Sequence, residues 1–148
     1  MPRLQLKEQP LYEFSHQLQI RVYDTGGFHV NYDKMGSIIR EGAVQCFRTL
    51  ELNELNMGDN KTGLITSEIA ITFKKELMIG DIVTIQNHIG EIDDNSFRLF
   101  TSIMRDGSVV VLAETRFVAF SNANQIKTIL PSEFMERLDQ YRSRAKAS

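Results

Sequence analysis

Asp24 is followed by Thr-Gly-Gly-Phe-His-Val-Asn-Tyr, residues 25–32, and then by a long stretch with an apolar stripe. A carboxylate can take a proton from water or attack a carbonyl, and backbone N–H groups can hold the negative charge that develops on the carbonyl oxygen. A glycine turn feeding a helix offers both. The N–H groups of a first helical turn have no partner within the helix, and the helix dipole favours an anion there. Val30, Asn31 and Tyr32 are therefore candidates for amides that polarise a carbonyl. Each residue also has a plainer reading. Asp before Thr-Gly-Gly suits a turn or cap by itself, and His29 suits an ordinary loop histidine. Glu41 would by default be solvated or paired with a neighbour such as Arg40 or Arg48. Lys74 and Lys75, beside a strand end, would simply be exposed.

These residues need elements to position them. Met35, Ile38, Ile39, Gly42, Ala43, Cys46, Phe47 and Leu50 recur at steps of three and four, which lines them along one face of a helix ending near Glu51 or Leu52. Lys34, Ser37, Arg40, Glu41, Gln45 and Arg48 mark the opposite face. A helix of roughly twenty residues spans about 30 Å and needs a sheet to wrap it. Phe14 to Tyr23 alternates with the period of a strand, with His16 on its buried side. Asn53 to Lys61 is polar and carries Gly58-Asp59-Asn60, a loop. Ile65 to Phe73, Val83 to Ile89, Phe97 to Ile103 and Val109 to Phe120 read as four more strands in hairpin succession, the last apolar enough to lie inside the sheet. Asp106-Gly107 signals a two-residue hairpin between the last two. Leu130-Pro131-Ser132 opens a short helix with Ser132 as N-cap and Phe134, Leu138 and Tyr141 on one face. The order predicts an α+β domain, a five-stranded mostly antiparallel sheet curled around one long helix.

The 148 residues suit a single domain, 1–148, with residues 1–12 an irregular leader and 142–148 a frayed tail. Seventeen basic against 19 acidic residues leave a net charge of −2, which gives no basic stripe for nucleic acid. The one cysteine, Cys46, falls on the apolar stripe and is expected in the core, as are Met35 and Phe47; no internal disulfide can form. No apolar signal core or membrane-spanning run is present, so no membrane partner and a cytoplasmic location are expected. Metal-ligand spacings, glycine-rich phosphate loops and a Gly-x-Ser-x-Gly elbow are absent from the sequence, which removes support for metal, nucleotide-cofactor and serine-hydrolase chemistry.

With this order in hand the chain resembles the hotdog-fold acyl-CoA thioesterases of the 4-hydroxybenzoyl-CoA thioesterase type. The likeness runs from Phe14 to Leu138. It rests on Val30-Asn31-Tyr32 with Glu41 in the helix after it, on Phe73-Lys74-Lys75-Glu76-Leu77-Met78-Ile79-Gly80-Asp81, on Arg105-Asp106-Gly107 and on Leu130-Pro131. The resemblance implies hydrolysis of acyl-CoA thioesters with no cofactor beyond the CoA of the substrate, in a homodimer or tetramer whose site needs two chains. It implies Asp24 as the carboxylate, the Tyr32 backbone amide as oxyanion donor, and His29, Val30 and Asn31 beside the substrate. Lys74 and Lys75 would meet CoA phosphates as point charges. Relatives show Asp-x-Asp-x-x-Gly-x-Val; here Asp24 alone stands six residues before Val30, between the family's two positions. Glu41 is the reserve carboxylate, since other hotdog branches use a helix glutamate. A non-catalytic hotdog protein that binds acyl-CoA or acyl-carrier thioesters is the alternative, supported by the missing second aspartate. A hotdog dehydratase lacks its histidine motif here.

Overall fold

The computed structural model describes residues 12–21, 24–25 and 29–147. The leader up to Leu11, the Gly26-Gly27 turn and the end of the first expected strand, Val22-Tyr23, lie outside them. Seven elements follow in order: β1 (Tyr12–Gln19), α1 (Tyr32–Thr49), β2 (Thr62–Phe73), β3 (Ile82–Gly90), β4 (Ser96–Arg105), β5 (Ser108–Ser121) and α2 (Ser132–Ala147). All strands join one sheet in the order β1-β3-β4-β5-β2. Every neighbouring pair is antiparallel. This is the predicted α+β architecture, one long helix against a five-stranded sheet.

The stripe read from the sequence is the buried face of α1: Met35, Ile38, Ile39, Ala43, Cys46, Phe47 and Leu50 are each at most 3 % exposed. They meet two clusters of apolar residues. One gathers Phe14, Phe47, Phe97, Phe117, Phe134 and Leu138, the other Ile38, Leu77, Val83, Ile85, Ile103 and Val111. Burial pushes the Cys46 thiol far up, as a core position requires. The helix lies tight against the sheet at Gly42. A Cβ there would stand 3.0 Å from Ile85 Cγ2, 3.3 Å from Asn87 Nδ2 and 3.5 Å from His16 Cε1.

Three expectations change. β2 does not form a hairpin with β3; it pairs only with β5, while β3 lies between β1 and β4. Alternation reports which face a side chain takes, not which strand is its neighbour, so the crossing from Phe73 to Ile82 was hidden. Ser132 is the first residue of α2, and its hydroxyl lies 3.4 Å from the Glu133 carboxylate instead of capping a backbone N–H. The last turn of α2 does not fray at Arg142 but continues to Ala147, through Arg, Ala and Lys, all good helix formers. Elsewhere the turn chemistry holds. Asp106 and Gly107 have φ of 51° and 78°, the pair of positive values that a two-residue hairpin needs. Tyr141 stacks on Phe14 with ring centroids 4.4 Å apart, which seats α2 against β1.

Gly42→Ala is expected to cost about 1–3 kcal/mol by overpacking α1 against β3. The denaturation midpoint checks it, with Gly36→Ala, which faces open space, as control.

Candidate active site

The crossing between β2 and β3 runs past the start of α1. There the Val30 N–H donates to the Leu77 carbonyl at 2.8 Å, and His29 bridges Met78. Asn31 is the N-cap, in extended conformation with φ −84° and ψ 163°, and its side chain makes no capping bond. Its carbonyl accepts from both Lys34 and Met35 N–H at 3.1 Å. Among the described residues no acceptor meets the N–H of Tyr32 or Asp33, which leaves two donors at the positive end of the helix. Val30 drops out of the sequence's three candidate amides because its N–H is spent on Leu77. Tyr32 stays.

A cleft of about 660 Å³ opens at this end. His29, Val30, Asn31, Lys74 and Lys75, all five residues predicted to touch the substrate, line it together. Both lysine N–H groups reach the Val110 carbonyl, at 2.9 and 3.2 Å, which bends the chain off β2 at that point. Asp33 and Glu76 also line the cleft, and the sequence reading gave neither a role at the site. Asp33, an acid in the first turn of a helix, carried a legible signal of helix-dipole complementarity. Glu76 carried none.

The two predicted carboxylates lie elsewhere. Asp24 is buried, 2 % exposed, and does not line the cleft. Its Oδ2 accepts from the Arg21 N–H at 2.8 Å and from Arg21 Nε at 2.9 Å, and its Oδ1 lies 3.3 Å from Nη2. The same guanidinium holds Glu41, with Nη2 to Oε2 at 2.7 Å and Nη1 to Oε1 at 3.3 Å. One arginine thus bridges the turn and the helix. The bonds to Asp24 first, then to Glu41, raise the Arg21 pKa still further. Glu41 therefore pairs with Arg21, and Arg40, one residue earlier and about 100° round the helix, reaches Glu54 at 2.8 Å instead. The sequence missed Arg21 because its partners are three and twenty residues away, a spacing without helical or strand period.

Behind Glu41 lies a buried polar group. Thr101 Oγ1 donates to Asn87 Oδ1 at 2.6 Å, while Asn87 Nδ2 and His16 Nε2 are buried with no partner among the described residues. Burial lowers the His16 pKa from 6.5, and the Glu41 charge opposes this. His88, stacked on Phe100, is likewise lowered by burial, against the charge of Glu13.

The family described as the thioesterase-like superfamily matches residues 20–138. No curated protein matches the sequence. Among solved structures, a 1,4-dihydroxy-2-naphthoyl-CoA thioesterase from Synechocystis superposes with a TM-score of 0.76 at 18 % identity, over 86 % of this chain and 96 % of that one. A gentisyl-coenzyme A thioesterase gives 0.74 at 21 %, over 84 % and 99 %. A Staphylococcus aureus protein in complex with CoA gives 0.74 at 16 %, over 93 % and 89 %.

Two outcomes follow from the buried groups. Arg21→Gln leaves Asp24 buried without its counter-charge and is expected to lower stability by about 3 kcal/mol, more than Asp24→Asn does; chemical denaturation compares the two. His16 and His88 have folded pKa values below the unfolded 6.5, so the unfolded chain binds protons first on acidification. Stability is then complete above about pH 7 and falls as pH drops through the range below 6.5. Denaturation midpoints across that range should flatten when both histidines are replaced by glutamine.

Proposed function

This chain belongs to the thioesterase-like superfamily and has the hotdog fold, and from that premise we infer that it hydrolyses acyl-CoA thioesters in the cleft at the start of α1. The observation that carries this reading is the convergence of His29, Asn31, Lys74 and Lys75 on one cleft beside the Tyr32 amide, which meets no acceptor among the described residues. The thioester oxygen would sit at the Tyr32 N–H, where charge develops in the transition state and where the helix dipole favours it. The CoA phosphates would lie against Lys74 and Lys75, and His29 and Asn31 would shape the wall beside the thioester.

The base is the point at which geometry departs from the sequence. Asp24, with Glu41 in reserve, is the sequence's choice, but Arg21 holds both carboxylates on the other flank of α1. Asp33 lines the cleft next to the Tyr32 amide. We therefore give the base to Asp33 and an anchoring role to Asp24 and Glu41. Asp33 takes a proton from water, the water oxygen bonds to the carbonyl carbon, the C–S bond breaks, and the proton passes to the departing CoA thiolate. A free acid and CoA result.

β2 is an edge strand with Ile65, Ile69 and Phe73 each more than 40 % exposed, which supports a second copy continuing the sheet there and a dimer or tetramer as the working form. No helix of the described residues is long and apolar enough to cross a membrane; a cytoplasmic location fits the lone free cysteine. The non-catalytic alternative has one observation in its favour, the withdrawal of Asp24 from the cleft.

Thiol release from acyl-CoAs decides among these. Asp33→Asn is expected to lower kcat by about a hundredfold or more, and Asp24→Asn and Glu41→Gln to act mainly on stability. Full loss in Asp24→Asn with Asp33→Asn active would return the base to Asp24; no turnover by the native protein would leave the binder. Replacing Lys74 and Lys75 together by alanine should raise KM about tenfold with kcat nearly unchanged.

A further inference from the structure

The cleft has two walls, the residues that enter α1 and the crossing that follows β2. In the crossing, residues 74–80 are exposed apart from Leu77. A segment with one buried anchor has few apolar contacts to fix its shape, so hydrogen bonds must do it. The tip of the β4-β5 hairpin supplies them. Val110 on β5 takes the N–H groups of Lys74 and Lys75. Arg105 is the last residue of β4, paired with Ser108 across the Asp106-Gly107 turn. Its Nη1 donates to the Glu76 carbonyl at 2.8 Å and to Asp81 Oδ2 at 2.7 Å. The same Oδ2 accepts the Met78 N–H at 2.8 Å, and the Asp81 N–H donates to the Met78 carbonyl at 3.1 Å. One carboxylate oxygen and one guanidinium nitrogen thus close the arc from Glu76 to Asp81.

An ion pair between partly exposed side chains adds little to global stability. The place of this one gives it another use. Inside the arc lie Leu77, whose carbonyl takes the Val30 N–H, and Met78, which bridges His29. The far end of the crossing is tied by backbone alone, from the Gly80 N–H to the Ile20 carbonyl at 2.9 Å and from the Ile20 N–H to the Asp81 carbonyl at 2.8 Å. Backbone ties therefore hold the ends, and Arg105 with Asp81 holds the span between them. The Met78 N–H, against burial, and then Arg105 keep the Asp81 carboxyl below its usual range, so the brace is charged at neutral pH. The other wall needs no brace, because helical bonding orders the start of α1.

We propose that Arg105 and Asp81 are positioning residues for the cleft, a brace that holds the crossing in its ligand-ready shape and so sets the affinity for CoA. The inference rests on the hydrolytic reading for the identity of the ligand. Neither side chain lines the cleft; both act through the backbone of Glu76, Leu77 and Met78. A wall ordered beforehand spares the ligand the entropy of ordering it. Without the brace that cost falls on binding. The proposed chemistry, at the Tyr32 amide and Asp33, lies on the helical wall, so loosening the crossing acts on KM and leaves kcat nearly alone.

Binding of CoA alone, measured by calorimetry beside acyl-CoA turnover, tests this. Arg105→Gln and Asp81→Ala are each expected to weaken CoA binding about tenfold and to raise KM to match, with kcat within about threefold of native. The double variant should be no worse than either single one, because the two side chains act as one unit. Arg105→Lys should bind CoA within about threefold of native, since a single nitrogen makes both bonds and an ammonium can donate to both. Amide hydrogen exchange should quicken at Val30 in Arg105→Gln while the amides of β4 and β5 keep their protection, which separates a loosened crossing from a damaged fold. Native CoA affinity in both single variants, additive losses in the double one, or lost affinity accompanied by faster exchange throughout β4 and β5 overturns the proposal. CoA binding by the native protein without turnover of any acyl-CoA would overturn the hydrolytic reading alone, the brace being decided by the affinities. No CoA binding by the native protein overturns both.

Discussion

A backbone hydrogen bond from the Val30 N–H to the Leu77 carbonyl at 2.8 Å, within the bridge between His29 and Met78, joins the two parts of the chain that make the cleft. It ties the residues entering α1 to the segment that crosses from β2 to β3. Without that tie the two would be unrelated loops. With it, Lys74 and Lys75 line the same cleft as Asn31 and Asp33, the residues on either side of Tyr32. The bond also decides which amides remain usable, since it removes Val30 from the set. Helix geometry supplies the donors; in the proposed hydrolysis the crossing would supply the cavity in which a donor to an oxyanion is worth more than in water.

The charges are divided across α1. On one flank Arg21 holds Asp24 and Glu41 together, next to His16 and Asn87 and close to Gly42, where the helix presses on β3. On the other flank lie the cleft and a smaller pocket, with Asp33, Gly36 and Arg40 along one helix line. The first flank is dense and bridged by a guanidinium; the second is open, and a Cβ at Gly36 would meet nothing within 4 Å. A carboxylate both of whose oxygens are engaged by arginine contributes to the fold by fixing the turn before the helix. A carboxylate at the cleft is available for chemistry.

Most of the fold was legible. The stripe from Met35 to Leu50, the alternations of β3 to β5, and Asp106-Gly107 report local periods that the structure keeps. Strand neighbours were not legible, because a period of two carries no information on which edge a strand joins; hence β2 was read beside β3 and the crossing was missed. At the site, His29, Asn31, Lys74 and Lys75, each named singly from the resemblance, line one cleft because the crossing after β2 runs past the start of α1. The carboxylate did not transfer in the same way. Asp24 stands between the two positions where relatives carry aspartates, and in the fold it turns to Arg21, a partner whose spacing follows no regular period. Asp33 was not legible as a cleft residue, because an acid in a first helical turn reads equally well as dipole compensation.

The central claim is that the Tyr32 amide holds the thioester oxygen. Amide proton shifts of isotopically labelled protein, with and without a hydrolysis-resistant CoA ligand carrying an oxyanion mimic, test it directly. A large downfield movement of the Tyr32 amide, with the Val30 amide held in place by Leu77, is the expected result. A Tyr32 amide that does not move while the ligand saturates would place the reacting carbonyl somewhere else and contradict the account.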